Sequence, residues 1–280
     1  MKRHSWNLFG TIAWILKDQG INMLMNIFGG PAINAARGVS YQVANAVQNL
    51  VNGFGVAVNP QLTKNYASGN SDNLIRLMMT SSKISFFLLL LIALPVMIEI
   101  TYLLNLWLVE VPTYTAIFTQ LILIEALINT YGGPMITGLM ATGKIKWYQI
   151  VVGSAMLLNV PVSYVLLHNG HSIVTPLFVS IFVVTISLLL RLLFCQHKLG
   201  FSIRKYFNIV IVPTLGVAFI SGIVPLFVHQ GLAPGFFRLL AVGGASLLSV
   251  IFFTYLLGLN SSERQLARMA VMKLLNKLRQ

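Results

Sequence analysis

PAINAARGVSYQVANAVQNLVNGFGVAVN, residues 31–59, is the stretch whose reading decides the fold. Asn34, Arg37, Tyr41, Asn45, Gln48, Asn52 and Asn59 recur in it at steps of three, four or seven. At 100° per residue they fall within an arc of roughly 80° on a helix. Gln42 and Asn49 widen this polar stripe on one flank, and the opposite face is Ala, Val, Leu and Phe. At 1.5 Å per residue the segment is about 43 Å long, enough to cross a bilayer with some tilt. Polar side chains at that depth are costly unless they face protein or a water-filled cavity. A continuous stripe that includes a cation points to a polar interior path for something anionic. A hydrogen-bonded helix interface would use the same residues.

Composition extends this reading to the whole chain. Of 280 residues, 56% are hydrophobic and 9% charged, and the mean hydropathy is +0.80. These values lie outside the range of soluble domains. Apolar stretches of membrane length recur along the sequence, so an all-α, polytopic membrane protein is expected. The short alternating segments of a β-barrel are missing. The net charge of +13 does not read as a nucleic-acid surface, because the basic residues lie between hydrophobic spans. One cysteine, Cys195, excludes an internal disulfide and a cysteine metal cluster. Beside Gln196, His197 and Lys198 it reads as an unreactive thiol at a cytoplasmic helix end. There is no A-x-A-like cleavage site after the first hydrophobic run, so no cleavable signal peptide is expected.

Eight transmembrane spans are read: 6–28, 31–60, 81–104, 114–140, 147–168, 172–195, 206–228 and 236–258. Gly29-Gly30-Pro31 breaks the first two apart, since Pro31 suits a helix start and the glycines release the chain. TKNYASGNSDN (63–73) reads as a loop. Val111-Pro112, Gly143-Lys144, Asn169-Gly170 and Leu232-Ala233-Pro234 mark further connections. All of the 19 basic residues except Lys17, Arg37 and Arg238 fall at the N-terminus, near even-numbered connections or after span eight. By the positive-inside rule both termini are cytoplasmic. The external connections are too short for a catalytic loop, and no Walker A, H-E-x-x-H, G-x-S-x-G or C-x-x-C pattern occurs. An enzyme is not expected, nor a cofactor or metal. His168 and His171 have no carboxylate nearby and read as interfacial.

Charges within the spans draw the closest reading. Asn7, Thr11, Asp18, Asn22 and Asn26 share one face of span one within about 100°. Asp18 is too costly to bury alone, so a partner is expected, and Arg37 of the adjacent span is the preferred one. Lys17 points roughly 100° away from Asp18. These groups read either as ion-coupling or gating elements (Asp18, Lys17, Asn22) or as structural ion pairs. Span four carries Gln120, Glu125 and Asn129, then Gly132-Gly133-Pro134, expected as a kink or unwound turn. Glu125 with Asn129 could hold a proton or sodium ion, or could pin helix packing. Glu99 is expected to snorkel to the outer interface. Tyr102, Trp107 and Tyr114 read as an interfacial belt. The tail SSERQLARMAVMKLLNKLRQ (261–280) reads as a basic cytoplasmic helix, at an anionic lipid surface or solvated.

GPAINAARGVSYQV (30–43), NPQLTKNYASGN (59–70) and ATGKIKWYQIVVG (141–153) resemble the bacterial polysaccharide-biosynthesis flippases. These O-antigen and lipid-linked oligosaccharide exporters belong to the multidrug/oligosaccharidyl-lipid/polysaccharide (MOP) exporter superfamily. The resemblance covers nearly the whole chain, most strongly its first 160 residues. It implies a six-helix second lobe over 1–198, two additional C-terminal helices over 199–260, and the basic tail over 261–280. Such flippases pair this lobe with a first one, so the resemblance implies a truncated or split product, or assembly with a separate N-terminal lobe or a second copy. The implied activity is alternating-access export of a polyprenyl-diphosphate-linked oligosaccharide across the bacterial inner membrane. Arg37 would hold the diphosphate. Asn34, Tyr41, Asn45, Gln48 and Asn52 would complete the substrate surface, their amides meeting sugar hydroxyls. The alternatives are a non-transporting scaffold of a glycan-assembly complex and a drug/cation antiporter of the same superfamily. The antiporter would use an acidic cavity, which this stripe is not.

Overall fold

The structure, a computed structural model, describes residues 2–265, Arg268 and Met272, with side chains from Leu8 onward. The rest of the basic tail, and the side chains of Lys2, Arg3 and Asn7, lie outside the described residues. Every regular element among the described residues is helical. Helix α1 runs Lys2–Ala67, α2 Ser71–Trp107, α3 Thr115–Ala141, α4 Lys146–His168, α5 Thr175–Leu199, α6 Ile203–Gly231 and α7 Phe236–Gly258. Helices α2 to α7 are each long and apolar enough to cross a membrane.

Helix α1 is two limbs, 2–29 and 31–67. Gly30 has φ 77° and ψ −176°, a conformation open essentially to glycine alone, and Pro31 starts the second limb. A straight helix would hold Asp18 and Arg37 about 28 Å apart. Their side chains meet at 2.6 Å, so the chain reverses at Gly30 and the limbs lie side by side. They occupy the places of the first two expected spans. Their polar stripes make them less apolar than α2 to α7, so among the described residues six helices are long and apolar enough to cross a membrane by length and composition.

Packing contacts give an up-and-down bundle. Ser40 Oγ donates to Thr115 O and Asn59 Oδ1 accepts from Thr137 Oγ1, so the second limb of α1 runs parallel to α3. Helix α3 is the hub, packed on both limbs of α1, on α2 and on α5. Its Phe118, Leu123 and Met135 are buried with Ile21 and Met25 of α1, Leu89 of α2 and Leu192 of α5. Helices α6 and α7 pack on each other and on α2, and Tyr131 Oη meets Thr214 Oγ1 at 2.6 Å to tie α6 to the hub. Outward faces are apolar instead of polar. Phe178, Phe182, Ile186, Leu189 and Leu193 form an exposed stripe on α5, and Phe219, Ile223 and Phe227 another on α6. Such surfaces suit lipid, not water.

Several expectations are corrected. The loop expected over 63–73 shrinks to Ser68-Gly69-Asn70, because α1 continues to Ala67 and α2 starts at Ser71. Asn70 caps that start by accepting from Asn73 N, and Asp72 favours the positive helix end. Gly132-Gly133-Pro134 does not unwind: α3 passes through it as unbroken helix. The break falls in α2 instead, where Glu99 (φ −100°, ψ 16°) leaves the helical region one turn past Pro95. Gln120 of α3 donates to Met97 O beside it. Glu99 does not snorkel: it is 1% exposed, between Arg238 Nη2 at 2.9 Å and His229 Nδ1 at 2.7 Å. The neighbouring ends of α6 and α7 bring His229 and Arg238 to it. Cys195 lies near the C-terminal end of α5, which Gly200 caps, and is fully buried there.

Candidate functional site

The hairpin of α1 against α3 builds a buried cluster of four charges. Lys17 Nζ donates to Glu125 Oε1 at 2.6 Å, and Arg37 Nη2 donates to Asp18 Oδ1 at the same distance. Lys17 and Glu125 are 5% and 8% exposed, so each needs the other. Arg37 is 4% exposed. Its Nη1 donates to Asn22 Oδ1 at 3.0 Å, while Nη2 also reaches Asp18 O and Tyr41 Oη at 3.3 Å. The guanidinium lies 4.5 Å from the centre of the Tyr41 ring. Two cations and two carboxylates sum to zero, which is how the bundle holds four charges at this depth.

The expected Asp18–Arg37 pair is present, and Asn22 joins it. The Lys17–Glu125 pair joins residues 108 apart, so sequence spacing could not reveal it. Lys17 and Asp18 point apart and each finds a partner on a different helix. Glu125 therefore ties α3 to α1, and the Lys17 ammonium stands where a sodium ion at that carboxylate would sit. Arg37, expected to meet a diphosphate, has its two terminal nitrogens on Asp18, Asn22 and Tyr41. A substrate anion would have to displace Asp18 to reach it.

Further along the second limb the stripe changes character. Gln48, Asn52 and Asn59 line an open cavity of about 280 Å³ between α1, α2 and α3. Asn129 and Thr130 of α3 and Ser81 and Ser85 of α2 complete its polar lining. Val51, Phe54, Val56 and Val58 make its apolar walls, and the lining includes no charged side chain. Amides and hydroxyls both donate and accept, the complement a sugar needs. Asn129 is thus part of the cavity, one turn from Glu125 but away from the ion pair. Asn34 is half-buried near the Gly30 turn and Asn45 is exposed. Neither belongs to the cluster or to the cavity.

Sequence reasoning missed Ser81, Ser85 and Thr130. Ser81 and Ser85 stand four apart in TSSKIS (80–85), a spacing that places both on one helix face. A smaller hydroxyl network, Thr119 Oγ1 to Ser40 Oγ at 3.1 Å, closes the interface nearer the Gly30 turn. Comparison of the chain with protein-family models, with curated proteins and with solved structures found no match.

Proposed function

We propose that this chain forms part of a membrane transporter that passes a polyprenyl-diphosphate-linked oligosaccharide across the inner membrane by alternating access. The observation that carries this reading is the uncharged cavity of Gln48, Asn52, Asn59, Asn129, Ser81 and Ser85 on a bundle with lipid-suited outer faces. Both limbs of α1 then cross the membrane, giving eight spans with both termini cytoplasmic. The sugar head group occupies the amide cavity while its lipid tail stays in the bilayer. The diphosphate competes with Asp18 for Arg37, whose guanidinium is charged at every step. Release of Asp18 loosens the two limbs of α1, which couples substrate binding to rearrangement of the bundle. An antiporter of cationic drugs fits less well, because the cavity lining includes no carboxylate.

The test is complementation in a bacterium lacking its own polysaccharide flippase, scored by surface polysaccharide. The chain is expressed alone and with a separately expressed first lobe, each with and without Arg37→Ala. Rescue that disappears with Arg37→Ala supports the proposal, and the arm that rescues tells whether a second lobe is needed. Membrane insertion without rescue in any arm would overturn it in favour of a scaffold.

A further inference from the structure

The chain has six side-chain carboxylates, and four of them pair with cations inside the bundle, three of these cations buried and Arg238 partly so. Lys17 has Glu125, Arg37 has Asp18, Lys83 has Glu263 at 2.6 Å, and Arg238 has Glu99. The remaining two, Asp72 and Glu110, are exposed at the bundle ends. Arg191 of α5 breaks the pattern. It is 5% exposed, yet among the described residues no carboxylate lies within salt-bridge distance of it; its side chain bonds to the Tyr148 hydroxyl, and its Nε, like those of Arg37 and Arg238, has no hydrogen-bond partner. An arginine stays charged when buried, and an uncompensated charge in a bundle interior is strongly unfavourable.

Arg191 lines a cavity of about 330 Å³ between the first limb of α1, α3 and α4. Thr11, Tyr148 and Gln149 are the other polar groups on the wall; Trp14, Met140 and Met156 are apolar. Trp14 and Met140 of the lining are exposed on the outside of the bundle. Gly132 of α3 makes room for the guanidinium: a Cβ there would collide with Arg191 Nη1. Close by, at the α3–α4 connection, Lys146 Nζ lies 5.5 Å from the Trp147 ring, and Trp147 is 66% exposed. An exposed tryptophan with a lysine over it is the signature of a membrane interface. The amide cavity and this one share no lining residue.

We infer that this cavity is a binding site for the phosphate of an anionic phospholipid, held by the Arg191 guanidinium with an acyl chain along the apolar wall. Its volume lies in the ~300–1,000 Å³ range of small-ligand sites, and basic pockets between transmembrane helices take anionic head groups. The guanidinium fork matches two phosphate oxygens. The site is independent of the transport reading and holds for any activity of the bundle.

The full-length protein, purified in neutral detergent and stripped of lipid, tests this by native mass spectrometry and thermal unfolding. The probes are phosphatidylglycerol, phosphatidylcholine and inorganic phosphate. Phosphatidylglycerol is expected to remain bound and raise Tm, with phosphatidylcholine and inorganic phosphate at matched concentration doing neither. Arg191→Gln should weaken phosphatidylglycerol binding by roughly tenfold or more, the loss of one charge-assisted pair. Met140→Trp, which adds bulk to the lining and leaves Arg191 in place, should weaken it without removing the charge, and serves if Arg191→Gln does not fold. Equal stabilisation by inorganic phosphate would overturn the lipid assignment in favour of a free anion. Retention of phosphatidylglycerol unchanged in both variants would overturn the site itself.

Discussion

Two lengths of the same polar stripe meet different fates in this molecule. Around Arg37 and Tyr41 the stripe is closed: every charge has an opposite one at 2.6 Å and the groups are turned inward. Around Gln48, Asn52 and Asn59 it stays open, lining a cavity with neutral groups only. The difference lies in what each group costs when unpartnered. An isolated charge in the bundle interior is strongly unfavourable, whereas an amide at a half-open wall can be satisfied by water or by a ligand hydroxyl. The closed stretch therefore contributes mainly to stability, and the open stretch leaves its polar groups accessible.

The contrast is broken most forcefully at the Lys17–Glu125 pair. Glu125→Ala leaves a buried ammonium alone and should destabilise the protein by about 3–5 kcal/mol, measured by chemical unfolding in detergent. Lys17→Met with Glu125→Leu removes both charges and should recover most of that loss. If the double variant is as unstable as the single one, the pair is not what holds α1 to α3. Asp18→Asn comes next. Its side chain is less buried and Arg37 keeps Asn22 and Tyr41 as partners, so about 1–3 kcal/mol is expected. The opposite face of the bundle offers a parallel case in Glu99→Gln, which leaves Arg238 without its carboxylate. A loss of similar size should appear there, independent of changes at Asp18, and a double-mutant cycle would show coupling near zero.

The smallest stability effect belongs to the open stretch. Asn129→Leu and Asn52→Leu alter exposed side chains and should shift stability by no more than about 0.5 kcal/mol. In the complementation assay the same changes should lower surface polysaccharide sharply. Substitutions that leave both stability and transport intact would deny the cavity a role in recognition.

Much of the architecture was legible in the amino-acid order. The break at Gly30 could be read from Gly29-Gly30-Pro31, because one residue there must take a backbone conformation that only glycine tolerates. The Asp18–Arg37 pair followed from the cost of burying either alone in neighbouring limbs. Reading Gly132-Gly133-Pro134 as a break failed because packing on α1, α2 and α5 holds α3 helical through it. Glu99 reads as interfacial instead of as part of a buried pair because its partner Arg238 lies 139 residues further along the chain.

By itself, the sequence determined that the chain folds as apolar helices, where most of them turn, and which face of 31–59 is polar. Periodicity and transfer cost act locally and are written in consecutive residues. Tertiary structure alone decided which charge meets which: Lys17 with Glu125, Glu99 with Arg238, and Arg191 with no carboxylate among the described residues. A Coulomb contact depends on a few ångströms of separation between helices far apart in the chain, and that distance is a property of the packed bundle.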